Sequence, residues 1–450
     1  MRFAVFILAL AIRIAAIEGT GADTIAFGDG PDYVSAARSL CVEHVDPERG
    51  NLPFFRAPGL PFFIAGVTGC EPSRTRAIKY ALAVCDALTV LLIFLIARGS
   101  LLAAAMAAFH PFFIGAVTDI RGEPLFMMLL VAAIWLLLRG NPARSGIALG
   151  LAALTRPTGL LCIPLFAIFA AIASGARAKG AQANGAQTNG AQASSLPVRR
   201  LPAGLSVHSA HRLEAGGPAA RMAALLCALI FLLSASLTLA PWTIRNYVRF
   251  HELIPVNDAA GFNLWRGTDP ELLQIVEITD PAEFARRSLH FETETVSAAA
   301  RIVDARAKTP GARDREWRRL AWENVRRDRA FALRSTLKKL AMYWRPWLHP
   351  AEHGWKAIAM SVVITLGLYV FGAIGLWRER DRRFAIAVVV FFVAMWLAHA
   401  PYIPSMRLRI PLTDPLLIVF AASALLDLRQ HHGERARVAV VGAGDARGDE

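Results

Sequence analysis

The chain has 450 residues, 55% of them hydrophobic, with mean hydropathy +0.41, against roughly 45–50% apolar content in an ordinary soluble domain. That excludes a soluble globular protein and identifies an integral membrane protein. A formal net charge of +14 would raise the question of nucleic acid in a soluble chain. Here the cations gather in short loops, at Arg139–Arg144 and Arg378–Arg383, in the linker after Arg177 and in the tail after Arg429. All of these are cytoplasmic if the amino terminus is, so the positive-inside rule accounts for the charge and no nucleic-acid partner is called for.

In chain order, apolar runs near the length needed to cross a bilayer occupy residues 2–17, 78–97, 100–117, 123–139, 158–174, 221–240, 356–376, 384–400 and 410–427, with a shorter one at 146–154. They predict an all-α polytopic bundle of about ten transmembrane helices, the fifth and sixth forming a hairpin broken at Arg156-Pro157. The first run has a basic start and small residues at Ala15 and Ala16, but Arg13 interrupts it. A signal core is normally uncharged, so the run reads as a retained anchor. Cys85, Cys162 and Cys227 fall within apolar runs as small core residues. Cys41 and Cys70 share the first outer loop, where an oxidising compartment allows a bridge that spacing alone does not establish.

Residues 176–220 change character: a five-residue unit built on Gly-Ala-Gln repeats from Gly180 with no large apolar side chain. Such a stretch buries too little surface to offset its ordering entropy, which predicts a disordered basic cytoplasmic linker. The chain then divides into a transmembrane half at 1–175 with an outer loop at 18–77, the linker, a transmembrane helix at 221–240, an outer, mostly helical segment at 241–355, transmembrane helices at 356–428 and a loose cytoplasmic tail at 429–450. Within the outer segment, apolar residues from Asp314 to Trp344 recur at three or four, predicting one amphipathic helix lying on the outer leaflet or against the bundle. Pro310-Gly311 separates it from a helix at about 281–308.

The chemistry concentrates outside. Asp29, in Gly28-Asp29-Gly30, and Asp32 can each orient and deprotonate an attacking hydroxyl. Asp32 reads equally as a helix cap. Tyr33 follows as a substrate contact, with Trp265 a second one further along the chain, and Arg56 opens a Pro/Gly-rich turn. Arg121 and Glu123, at the start of the fourth run, would cost roughly 2.5–3.5 kcal/mol each if they faced lipid at depth. They read as pocket residues or as an interfacial pair with each other. Arg245 after Pro241-Trp242, Trp265-Arg266, and Arg407 with Arg409 each set arginine beside an aromatic residue or a proline at the end of a span. The guanidinium fork fits phosphate oxygens, and headgroup anchoring is the equally available alternative. Asp86, midway through the second run, calls for a buried partner, with Arg13 one candidate. No HExxH, Cys/His cluster or Gly-rich phosphate loop is present, which turns the donor question toward lipids.

With these pieces in order, the chain resembles the bacterial polytopic GT-C glycosyltransferases, the group that includes protein O-mannosyltransferase-like and aminoarabinose transferase-like enzymes. The resemblance rests on Gly28-Asp29 with Tyr33, Arg56-Ala57-Pro58-Gly59-Leu60-Pro61, Glu123-Pro124-Leu125-Phe126, Leu154-Thr155-Arg156-Pro157, Pro241-Trp242 through Asn246, and Arg407-Leu408-Arg409-Ile410-Pro411. It implies inverting transfer of a hexosyl or pentosyl group from a polyprenyl-phosphate donor to an envelope lipid, glycan or protein at the outer face of the cytoplasmic membrane. Asp29 matches the base, Glu123 the acidic residue of the fourth span, and Arg56 and Arg407 the basic positions near the donor phosphate. Ala57, Leu60 and Leu408 depart from the family's usual Pro, Tyr and Tyr, so aromatic packing around the substrates differs. Partial burial is expected to move the Asp29 pKa toward the working pH. No cofactor is called for, and a divalent metal is optional because arginines can offset the leaving phosphate. A transporter or flippase, or a non-catalytic relative of the scaffold, are the competing readings. The lack of a repeat relating 1–175 to 221–427 and the large outer segment favour a transferase.

Overall fold

The structure, a computed structural model, describes residues 1–25, 28–43, 55–71, 73–172, 218–403 and 405–445. Most of the predicted linker lies outside them. The described regular elements are all helical. The amino-terminal half runs α1 (Arg2–Thr20), α2 (Gly30–Arg38), α3 (Gly59–Thr68), α4 (Thr75–Ile96), α5 (Leu101–Ala108), α6 (Pro111–Val117), α7 (Glu123–Leu138), α8 (Pro142–Thr155) and α9 (Thr158–Ile172). After the linker come α10 (Pro218–Phe250), α11 (Ala260–Thr268), α12 (Pro270–Ile275), α13 (Pro281–His290), α14 (Ser297–Arg306), α15 (Pro310–Arg327), α16 (Arg329–Tyr343), α17 (Trp355–Arg378), α18 (Arg382–His399) and α19 (Met406–Asp445).

Among the described residues six helices are long and apolar enough to cross a bilayer: α1, α4, α17, α18, Arg221–Phe250 of α10 and Met406–Leu428 of α19. The remaining expected crossings are served by shorter helices. The run at 100–117 divides into α5 and α6 because Pro111 holds His110 extended, at φ −66° and ψ 115°. The helical break falls at Arg156-Pro157 as expected, with Arg156 extended at φ −142° and ψ 127°. Helix α3 was not anticipated within the outer loop; Leu60 and Ile64 bury it against Ile78 and Leu82 of α4.

Three other expectations are corrected. Helix α10 does not stop at residue 240 but runs through Pro241 to Phe250. The indole of Trp242 donates to the Val256 carbonyl at 2.6 Å and Asn246 Nδ2 to that of Ile254 at 2.8 Å, tying the extension to the chain that follows. The single amphipathic helix expected at 314–344 is two, because Asp328 leaves helical geometry and accepts from the Phe331 amide to cap α16. The tail expected to be loose from Arg429 is helical through Asp445; Glu434, Arg435, Ala436 and Arg437 favour helix and no proline follows Pro415.

Small residues set the close packing. Gly146 and Gly150, four apart on α8, lie against Ser234, Ala235 and Thr238 of α10, and a Cβ at Gly150 would come within 2.7 Å of the Thr238 Cβ. This is the Gly-x-x-x-Gly spacing that lets membrane helices approach. Gly59 does the same for the site: a Cβ there would stand 2.8 Å from the backbone of Leu154 and Thr155, so the turn carrying Arg56 lies flush on the end of α8. Inside the bundle Arg13 pairs with Asp86 at 2.7 Å, both fully buried. Outside it, Phe262, Trp265, Trp317 and Phe291 build a separate core for the outer segment.

Candidate active site

Five helix ends converge at one edge of the bundle. Asp29 and Asp32 stand at the start of α2, Arg56 just ahead of α3, Glu123 on the first residue of α7, Arg156 between α8 and α9, and Arg407 in the first turn of α19. Acidic groups are favoured in first turns, where unpaired amides and the helix dipole present partial positive charge.

The side chains form one ionic network. Arg407 bridges two carboxylates, its Nε donating to Glu123 Oε1 at 2.8 Å and its Nη2 to Asp29 Oδ2 at 3.0 Å. The other Asp29 oxygen is 2.9 Å from Arg56 Nη2, which also donates to Asp32 Oδ2 at 2.6 Å. Arg156 Nη1 reaches Glu123 Oε1 at 2.9 Å. Tyr33 is buried beneath Arg56, whose guanidinium carbon lies 5.5 Å from the ring centre; burial raises the phenol pKa, so the ring carries its proton. The network grades from the floor, Glu123 at 7% side-chain exposure, to the rim, Arg407 at 43% and Asp32 at 45%.

The electrostatics overturn one expectation. Burial does push the Asp29 carboxyl up, but Arg56 and Arg407 together outweigh it, and the net shift is downward from 3.8. With both oxygens engaged, Asp29 is ionised and weakly basic. Asp32 is not a cap: no side-chain cap closes α2, and its carboxylate goes to Arg56. Nor do Arg121 and Glu123 pair. Arg121 lies 3.5 Å from Asp119, while Glu123 holds Arg156 and Arg407.

Three further candidates stand apart from this network. Arg409 is fully buried, donates to Asp414 Oδ1 at 2.7 Å and packs on Tyr369 and Trp344. Two residues along a helix lie on different faces, so Arg407 and Arg409 cannot point the same way. Arg245 lies over Trp242, 4.9 Å from its ring, and contacts its neighbour Asn246 at 3.2 Å. Trp265 is 5% exposed, with its ring 4.8 Å from that of Trp317, so it is core in the outer segment and not a surface for substrate. The Phe262–Trp265 spacing of three already signals a core face. Arg156 is the residue missing from the sequence-based set; its signal was a charge at the apex of a proline-broken hairpin.

Among the described residues no three His, Cys, Asp or Glu side chains come together in a group that could hold a metal ion. The carboxylates are matched by guanidinium groups. A Cys41–Cys70 disulfide ties the end of α2 to the end of α3.

Residues 55–188 match the family model described as dolichyl-phosphate-mannose-protein mannosyltransferase. The matched stretch contains Arg56, Glu123 and Arg156; Asp29, Asp32 and Arg407 lie outside it. No curated protein and no solved structure matches the chain. Together with the apolar helices, the match makes this a multi-pass membrane protein resembling GT-C glycosyltransferases.

Proposed function

We propose that the protein transfers a sugar, with inversion, from a polyprenyl-phosphate donor to a hydroxyl or amine of an envelope acceptor at the outer face of the bacterial cytoplasmic membrane. The observation that carries this reading is Arg407 held between Asp29 and Glu123, with Arg56 on the far side of Asp29. A carboxylate base and two guanidinium forks then share one partly exposed ionic cluster at the ends of membrane helices. The family description names a lipid-phosphate-linked sugar, which supports that donor class. The Cys41–Cys70 bridge supports an oxidising compartment for the loop.

The donor phosphate would sit on Arg56 and Arg407, whose forks match its oxygens and offset the charge that grows as the glycosidic bond breaks. To bind it, those arginines must give up part of their hold on Asp29. The carboxyl then loses the attraction that depresses its pKa while remaining buried, and becomes a better base for the acceptor proton. Glu123 stays with Arg156, fixing the floor. The acceptor oxygen or nitrogen attacks the anomeric carbon, the bond to phosphate oxygen breaks, and the proton passes to Asp29.

The test is release of labelled sugar from polyprenyl-phosphate donors by purified protein in detergent. Asp29→Asn should abolish transfer while leaving membrane insertion intact; full activity in that variant rules Asp29 out as base. A transporter would show no turnover in detergent, where there is no second compartment to reach.

A further inference from the structure

We propose that α11 and the residues beside it act as a yoke, positioning Arg56 through Asn257 and Phe262 and Arg407 through Lys339 and Gly267. The proposal rests on the functional reading above for what the arginines bind, and on geometry alone for the anchors.

The first anchor crosses 202 residues of sequence: Asn257 Nδ2 donates to the Phe55 carbonyl at 2.8 Å. The Phe55 ring meets Phe262 edge-on, centroids 5.3 Å apart, and the guanidinium carbon of Arg56 lies 5.1 Å from the Phe55 ring centre. Phe262 is itself wedged against Trp265 and Trp317. The loop carrying Arg56 is thus docked on the outer core by a side chain of its own and a hydrogen bond from across the site.

The second anchor lies at the other end of the same helix. Lys339, 3% exposed, donates from Nζ to the Gly267 carbonyl at 2.8 Å and to the Pro401 carbonyl at 3.1 Å, with no carboxylate at hand. Burying an ammonium costs free energy unless its protons find acceptors, so the two carbonyls are bound firmly. Gly267 permits the approach: a Cβ there would meet Tyr402 Cα at 2.9 Å and the Pro401 carbonyl closer still. Four residues beyond the pinned Pro401, the Ser405 hydroxyl accepts from the Arg407 amide at 3.3 Å. Helix α11 is fixed in turn by Asp314 of α15, which accepts from the Gly261 amide at 2.5 Å.

These are positioning residues. Asn257→Asp removes the donor at constant size, and Lys339→Met removes the ammonium from an apolar setting. Each should raise the KM for donor about three- to tenfold, the loss of one or two hydrogen bonds' worth of alignment, at unchanged KM for acceptor. The double variant should depart from the simple product of the two effects, since Arg56 and Arg407 share Asp29 and the donor phosphate and so act as one network. A general folding defect would instead lower kcat with both KM values unchanged, and that result overturns the proposal. Amide hydrogen exchange on the full-length protein reads the anchors without any substrate. Asn257→Asp should speed exchange around residues 55–60 only, and Lys339→Met around 400–408 only. Unaltered exchange in both segments overturns the anchors; absent turnover in the wild type sinks the functional reading instead and leaves exchange to decide the anchors.

Discussion

Arg407→Lys separates a bridging fork from a positive charge. The native side chain reaches Glu123 from Nε and Asp29 from Nη2, at 2.8 and 3.0 Å. A lysine ammonium is a compact point charge that can approach one carboxylate closely but not both in this geometry. In the proposed donor complex the same fork serves the phosphate, and losing one charge-assisted hydrogen bond there costs about 1.5–3 kcal/mol, which in kcat/KM is about 10- to 150-fold. The variant keeps the charge count of the pocket, so the loss measures geometry. The assay is initial rate of sugar release in detergent at several donor concentrations, with thermal unfolding followed in parallel to confirm that the bundle is intact. If Arg407→Lys stays within about twofold of the wild type, the bridge has no role in the reaction and the proposed phosphate seat is wrong.

The depressed Asp29 pKa gives a pH signature. The free enzyme holds Asp29 ionised below the usual carboxylate range, so the acidic limb of kcat/KM should lie at low pH. If donor phosphate takes the arginines, the limb of kcat, which reports the donor complex, should lie at higher pH, and coincident limbs would falsify the exchange. For stability the sign is that of a lowered carboxylate. The contribution is whole above the unfolded value and is lost as pH falls through the folded one, so Asp29→Asn should flatten the acid side of the unfolding profile only. In the bundle, Asp86→Ala should cost about 3–5 kcal/mol by stranding Arg13, and adding Arg13→Met should recover much of it, as read by thermal unfolding. Gly59→Ala places a methyl 2.8 Å from the backbone of Leu154 and Thr155, so it should reduce transfer more than thermal stability by displacing Arg56; equal loss of both would point to a simple packing defect.

What the sequence made legible was charge in the wrong solvent. Glu123 and Arg407 stand out because they border apolar runs, and Asp29, Asp32 and Arg56 because they share the loop between the first two; all five meet in one network. Arg13 and Asp86 were paired for the same reason. The readings that failed depended on direction. Arg407 and Arg409 look alike in a string of letters, yet a helix turns them to different faces, one to the pocket and one to Asp414. Trp265 looks like a binding aromatic until Phe262, Phe291 and Trp317 close around it. Arg156 was read as punctuation because the proline beside it was. The contacts from α11 were beyond reach of any local pattern, since Asn257 and Phe55 are brought together only by the tertiary fold.

The charge count of the pocket constrains the order of events. Asp29, Asp32 and Glu123 are matched by Arg56, Arg156 and Arg407, so the resting site has no surplus cation for a phosphate. An arriving anion must therefore displace a carboxylate from a guanidinium, and exposure decides which. Glu123 and Arg156 are the least exposed of the six, at 7% and 17%, and separating them would leave charge stranded where water cannot reach. Arg407, at 43%, meets solvent, and its contact with Asp29 is the longer of its two carboxylate bonds. In the proposed reaction the donor thus takes its charge partners from Asp29, and the carboxylate becomes an effective base only when there is a glycosyl phosphate for the acceptor to attack.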